Sequence, residues 1–173
     1  YDLTLELYEL ATELAFLCSD FEVMEQLIEI VTTNTHSLPE QMNVYRIRIQ
    51  AYNTQNKLIE AIATAQQFLQ QLGVTFPQEP TEEDIKEAIS EIYRLVSNRE
   101  IENLVDLPMM EDREKIAIVE IANSIFSATY IAGSSLYPLL VALSVKLSIQ
   151  YGNTEASAYA YSGYGIIACN LLP

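Results

Sequence analysis

The chain has 173 residues, of which 50% are hydrophobic and 19% charged, and its 24 acidic against 9 basic side chains give a formal net charge of −15. This length predicts one domain whose core needs no disulfide or metal for stability. The negative charge argues against nucleic acids and anionic membranes as partners, and the apolar half of the composition argues against disorder. With five glycines and a single histidine, the chain has little material for phosphate-binding loops or imidazole chemistry.

The charge is unevenly distributed along the chain. Residues 1–45 contain nine acidic side chains and no Lys or Arg, whereas Lys146 and Glu155 are the only charged residues from Ile121 onward. The two ends are therefore expected to face different surroundings.

The two cysteines, Cys18 and Cys169, fit neither a metal-binding spacing nor a disulfide framework. We expect both to be buried as small apolar residues in a reducing, cytoplasmic protein. The chain starts at Tyr1 and stops at Pro173 within an apolar run, so it is expected to be a piece of a longer protein.

Helical periodicity dominates the first 36 residues. Five leucines recur at alternating spacings of four and three and predict one stripe of a helix over residues 2–18: Leu3, Leu7, Leu10, Leu14 and Leu17. Asp20 offers a cap to a second helix, for which five inward-facing side chains are predicted: Phe21, Met24, Leu27, Ile28 and Val31.

Capping signals and breakers predict three further helices. Ser37 and Glu40 have capping-box spacing and predict a third helix over residues 38–53. A fourth is expected over residues 55–72, before Gly73. Thr81 with Asp84 predicts the start of a fifth helix that ends near Val96.

The second half is also predicted to be helical, with no strand alternation. A short stretch around 99–105 precedes a long helix to about Ile131, a turn at Gly133, a helix to Tyr151 and a last helix from about Thr154. The uncharged segment 121–145 is long enough to suggest a membrane span. Its serines and its Gly-Ser-Ser break favour two buried helices joined by a turn instead.

An offset of 37 residues superimposes the first predicted helix pair on the second, for example Tyr8 on Tyr45 and Ile28 on Ala65. Such periodicity is typical of stacked helical hairpins similar to tetratricopeptide repeats. The predicted fold class is therefore all-α, a tetratricopeptide-like α-solenoid of about eight helices. The predicted units are 1–36, 37–73, irregular hairpins over 74–152, and the start of a further repeat over 153–173; a generic helical array is the alternative.

Three short motifs are better explained by structure than by chemistry. The G-x-G-x-x-A pattern at Gly163 lies inside a predicted helix, although a dinucleotide site requires it between a strand and a helix. His36 lies in a connector rather than in a coiled phospho-accepting helix. Asp20-Phe21-Glu22 has Glu where a kinase magnesium motif has Gly. No catalytic residue, cofactor or metal ligand is predicted.

The repeat register does predict a partner surface. In the tetratricopeptide arrangement, two sets of polar residues fall on the concave side of the first and second units: Glu6, Glu9 and Glu13, and Asn43, Arg46, Gln50 and Asn53. A solvated helix face is the simpler alternative. As a groove, this surface suits a basic helix or peptide, because it lacks the Lys and Arg cluster that holds an acidic carboxylate.

Three stretches carry a family resemblance: Leu72-Gly73-Val74 through Pro77 and Pro80 into Thr81-Glu82-Glu83; Ile101 through Leu104, Leu107-Pro108-Met109 and Asp112; and Tyr151-Gly152-Asn153 through Ser157-Ala158-Tyr159-Ala160-Tyr161 and Tyr164-Gly165. They resemble the helical-repeat region of very large bacterial multi-domain signalling kinases. In that family, a serine/threonine kinase domain is followed by an AAA-like NTPase module, this tetratricopeptide-like region, and then GAF sensor and often histidine-kinase domains.

The resemblance implies a non-catalytic scaffold that links NTPase and sensor parts, with the kinase and ATP-binding residues elsewhere in the longer protein. The implied partners are proteins: its own kinase, NTPase or sensor domains, or a basic segment. One alternative is a helical-repeat regulator of an NTPase-coupled transcription activator. Another is a small all-α enzyme or ligand-binding bundle, which would have a deep polar cavity with perturbed carboxylates.

Overall fold

The structure is a computed structural model that describes residues 1–97 and 100–171, with side chains up to Cys169. Within these ranges the backbone is helical and has no strand beyond one isolated bridge, which confirms the predicted all-α fold class. The α-helices are α1 (Asp2–Leu17), α2 (Phe21–Asn34), α3 (Met42–Thr54), α4 (Leu58–Gln71), α5 (Glu82–Val96), α6 (Arg113–Ser124), α7 (Phe126–Ile131), α8 (Leu136–Tyr151) and α9 (Ser157–Leu171). The predicted start of a short helix at Arg99 and the final residues 172–173 of the predicted last repeat lie outside the described residues.

The first two helical hairpins share one turn geometry. Ser19 (φ +61°) and Asn56 (φ +58°) both adopt the left-handed conformation, 37 residues apart. The residue after each donates a 2.9 Å backbone hydrogen bond to the carbonyl five residues earlier, as in a Schellman motif: Asp20 to Ala15 and Lys57 to Tyr52. The matching turns give α1–α2 and α3–α4 equivalent connections.

The helices pack in a partly sequential order. Helix α1 contacts α2 and α3, α3 contacts α4 and α6, and α6 contacts α8. Helix α5 departs from this order because it packs on α8, and α9 packs on α8 as well. One continuous core results, and its fully buried side chains come from most of these helices: Ile28, Ile49, Phe68, Ile92, Ile121 and Leu140.

The uncharged segment forms buried helices, as predicted, but the expected long helix to Ile131 is wrong. It breaks between α6 and α7 at Ile125. There the Ser124 hydroxyl donates a hydrogen bond to the Ile121 carbonyl (2.6 Å), and the Ser124 carbonyl accepts one from Asn53 Nδ2 (3.4 Å). These two side-chain hydrogen bonds compete with the backbone hydrogen bonds of a continuous helix. None of the helices within residues 1–97 and 100–171 has the length and apolar character needed to span a membrane.

Helix caps were predicted at Asp20, at Ser37 and at Thr81. The caps at Asp20 and Thr81 are confirmed, and the capping box at Ser37 is wrong. Asp20 accepts from the Val23 amide at 3.2 Å, and Thr81 and Asp84 form a reciprocal capping box. Residues Leu38–Gln41 instead form a 3-10 turn, and α3 begins only at Met42. The Glu40 carboxylate accepts hydrogen bonds from the His36 amide and the Tyr1 hydroxyl, which draw it toward the preceding loop.

The five leucines of α1, hereafter the leucine stripe (Leu3, Leu7, Leu10, Leu14 and Leu17), are 56–69% exposed. The face of α1 that meets the core is a different one, which centres on buried Thr12 and Ala15 and includes partly buried Leu5 and Tyr8. The leucine stripe therefore lies on the outer side of α1.

The predicted burial of both cysteines is wrong, because Cys18 and Cys169 are free and exposed. Cys18 is the C-cap of α1, beyond the face that meets the core. Cys169 lies in the last turns of α9. A helix end offers fewer neighbouring side chains than a helix centre, so neither thiol is covered.

Candidate functional site

All seven side chains of the predicted partner surface line one groove, hereafter the acidic groove, of about 630 Å³ between α1 and α3. They are Glu6, Glu9, Glu13, Asn43, Arg46, Gln50 and Asn53. Three further lining residues were not predicted: Leu10, Ile47 and Ser124.

Helical spacing explains why these residues meet. Glu6, Glu9 and Glu13 are separated by three and four residues, so they share one side of α1. The α3 residues follow one another at three, four and three positions and form a matching row. Because α1 packs beside α3, the two rows become the opposite walls of the acidic groove.

Glu9 and Asn43 connect the walls directly. Asn43 Nδ2 donates to Glu9 Oε2 across 3.1 Å. Burial of the Glu9 carboxylate raises its pKa, the neighbouring charge of Glu6 adds to that rise, and the hydrogen bond from Asn43 opposes it. Glu6 and Glu13 are exposed, so the groove offers solvent-facing carboxylates on either side of a half-buried one.

Arg46 contributes the basic group among the lining residues, and Glu120 of α6 neutralises it. Arg46 Nη1 lies 3.5 Å from Glu120 Oε2, and the glutamate side chain is only 15% exposed. The arginine is thus already paired, and the unpaired charge of the acidic groove is negative.

The floor of the groove reaches α6. Asn53 Nδ2 donates to the Ser124 carbonyl at 3.4 Å, while Asn53 Oδ1 is buried without a hydrogen-bond partner. The exposed carboxylates of Glu6 and Glu13 are hydrogen-bond acceptors, suited to Lys, Arg or backbone N–H donors.

No cluster of three or more His, Cys, Asp or Glu side chains positioned for a metal ion occurs within residues 1–97 and 100–171.

The other motifs have structural roles. His36 stacks on the Tyr1 ring with centroids 4.4 Å apart in the loop after α2. Gly163 lies inside α9, where an added Cβ would be 3.1 Å from the Tyr137 hydroxyl and from Val141. Gly163 thus permits close packing of α8 and α9, whereas no neighbouring atom crowds Gly165.

Sequence reasoning did not identify a second, mainly apolar groove of about 520 Å³ between α5, α8 and α9. Ile92, Val145 and Tyr161 are among its lining residues. Each of these residues lies on an apolar helix face of the kind that packs in an ordinary core. The sequence pattern is the same for a core residue and for a groove-lining one, so the groove could not be predicted.

Searches of protein-family models, curated proteins and solved structures return no match to this chain.

Proposed function

We propose that this chain is a non-catalytic helical-repeat scaffold that binds a basic protein segment in the acidic groove. The observation that supports this proposal most strongly is the convergence of seven polar side chains from α1 and α3 on one groove. The segment 1–45, which contributes all of α1, supplies no Lys or Arg to offset the glutamates. Electrostatic complementarity therefore selects a cationic partner and disfavours nucleic acid.

The proposed setting is a large bacterial signalling kinase, in which the scaffold links NTPase and sensor domains. The three sequence stretches that resemble that family support this setting. Two of them are neighbours here: the Met110 amide donates to the Asn153 carbonyl, and the Asn153 amide to the Pro108 carbonyl, both at 2.8 Å. Sequencing the gene around this segment tests the setting, because a kinase domain is expected before Tyr1, and a transcription-activator architecture would contradict it.

Peptides of opposite charge test the groove. A helical Ala/Lys peptide is expected to bind the chain, and an Ala/Glu peptide of equal length is not, in fluorescence anisotropy at low salt. The variant Glu6→Gln/Glu9→Gln/Glu13→Gln should weaken Ala/Lys binding by at least about tenfold. Its helicity and melting temperature should stay close to those of the wild type.

The matched control makes the same change of charge on α5: Glu82→Gln/Glu83→Gln/Glu87→Gln, at three exposed positions. This variant should bind the Ala/Lys peptide almost as the wild type does. Equal losses in the two triple variants would mean that only net charge matters and would contradict the proposal.

A further inference from the structure

We propose that the leucine stripe of α1 docks a partner helix that carries leucine-like side chains in heptad spacing and Lys or Arg beside them. This inference rests on the proposed function, since Glu6 and Glu13 lie beside both the leucine stripe and the acidic groove. It adds that the basic segment is an amphipathic helix packed along α1.

The exposure of the stripe is the first observation behind the inference. Single exposed leucines are common on protein surfaces, but five on one helix face form a continuous apolar strip. Each is at least 56% exposed. The opposite face of α1 already packs on α2 and α3, so the core of the described chain does not use the stripe.

The spacing of the stripe specifies the shape of the occupant. Alternation of four and three residues is the a/d repeat of a coiled coil, with Leu7 and Leu14 at a and the other three leucines at d. Such a seam is narrower than the apolar face of an ordinary core helix. It covers about 21 Å along the axis, the length of two heptads in a partner helix.

The flanking charges decide which helix fits. In this register Glu6 and Glu13 occupy g positions, while Thr4, Ala11 and Cys18 occupy e positions. Residues 1–45 contain no Lys or Arg. A helix with basic flanks would pair with both glutamates.

A second copy of α1 is the poorer occupant. In an antiparallel pair, Glu6 of one copy would face Glu13 of the other, and in a parallel pair both would face uncharged residues. Neither arrangement supplies a cation, and each chain carries a net charge of −15. The occupant is therefore a different, basic helix.

Heptad peptides test the inference with the complete chain. The probe has Leu at a and d and Lys at e and g over about three heptads; its counterpart has Glu at e and g. We expect the Lys peptide to bind, and Leu7→Gln/Leu14→Gln to weaken that binding by at least about tenfold. Because both leucines are exposed and neither lines the acidic groove, the fold and the groove should be unchanged.

Ile59→Gln is the matched control, because Ile59 is an apolar side chain of α4 that is 79% exposed. It should bind the Lys peptide as the wild type does. Unaltered binding by Leu7→Gln/Leu14→Gln would overturn the inference, and the proposed function would still stand if the triple glutamate variant lost Ala/Lys binding. Sedimentation of the wild type as a dimer that this leucine variant abolishes would also overturn it, in favour of a second copy.

Discussion

Glu9 is the residue at which the two walls of the acidic groove meet. Its carboxylate is half-buried and accepts from Asn43. Burial and the nearby Glu6 charge raise its pKa, and the amide of Asn43 partly offsets them. Ionised Glu9 is therefore held in the groove at some cost to the stability of the folded state.

This arrangement predicts a pH-dependent effect of Glu9→Gln. A carboxyl whose pKa is raised on folding adds stability below its unfolded pKa of about 4.3, and this is lost as pH rises through the folded pKa. Gln does not titrate, so the free energy of unfolding of Glu9→Gln, relative to that of the wild type, should increase from pH 4 to pH 7. Denaturant unfolding at several pH values measures the trend, and an opposite trend would contradict the assigned pKa shift.

Asn43→Ala removes the hydrogen bond that lowers the Glu9 pKa, so this variant should raise the Glu9 pKa further in an NMR titration.

The positions of the groove residues could be predicted because each row depends only on helical periodicity. The charged groups that other helices bring near these residues could not be predicted from the sequence. The partner of Arg46 is Glu120 of α6, 74 positions away in sequence, and no local pattern indicates that approach. The exposure of Cys18 was missed for a related reason, since burial at a helix end depends on which elements pack beyond it.

At the scale of elements, Gly152 joins two distant segments. It has φ +107°, and a Cβ built there would be 2.4 Å from the Pro108 carbonyl oxygen. Its neighbour Asn153 exchanges backbone hydrogen bonds with Pro108 and Met110, and its side-chain Nδ2 donates to the Leu104 carbonyl at 2.8 Å. Tyr161 of α9 donates to the same side chain at 3.0 Å, so this junction positions the start of the last helix.

Gly152→Ala should therefore lower the free energy of unfolding by about 2–4 kcal/mol, because strain and a backbone clash combine. Gly165→Ala is the contrasting control. Gly165 lies within α9 with open space around its Cα, so alanine there should raise stability by about 0.5–1 kcal/mol through helix propensity. Chemical denaturation of both variants checks the pair, and equal effects would argue against the close approach at Gly152.

Helix existence could largely be predicted from periodicity, but the orientation of α1 could not. Two apolar patterns run along this helix: the leucine stripe and a smaller face around Ala15. The leucine stripe is the more strongly apolar of the two, but its sequence pattern does not indicate which face of α1 is covered by α2 and α3. Helix caps were predictable only where the contacts are local. The capping box at Thr81 depends on residues three positions apart and forms, whereas the Glu40 carboxylate instead accepts a hydrogen bond from Tyr1, 39 residues away.

Across the whole molecule, charge and burial separate along the chain. The acidic first third supplies α1 and one wall of the acidic groove. The uncharged segment 121–145, which covers the end of α6, all of α7 and most of α8, contributes many fully buried residues, among them Ile121, Phe126 and Val141. Arg48 of α3 links the second hairpin to the first, because its Nε donates a hydrogen bond to Glu25 Oε1 of α2 at 3.2 Å. The groove thus sits at a braced junction of two hairpins.

The central claim is that this junction binds basic segments at one place. Titration of the isotopically labelled chain with the Ala/Lys peptide, followed by amide chemical shifts, tests it most directly. Shifts should concentrate on α1 and α3 around Glu6, Glu9 and Asn43, and the triple glutamate variant should lose them. Shifts of equal size on the acidic face of α5, at Glu82, Glu83 and Glu87, would show non-specific attraction and contradict the claim.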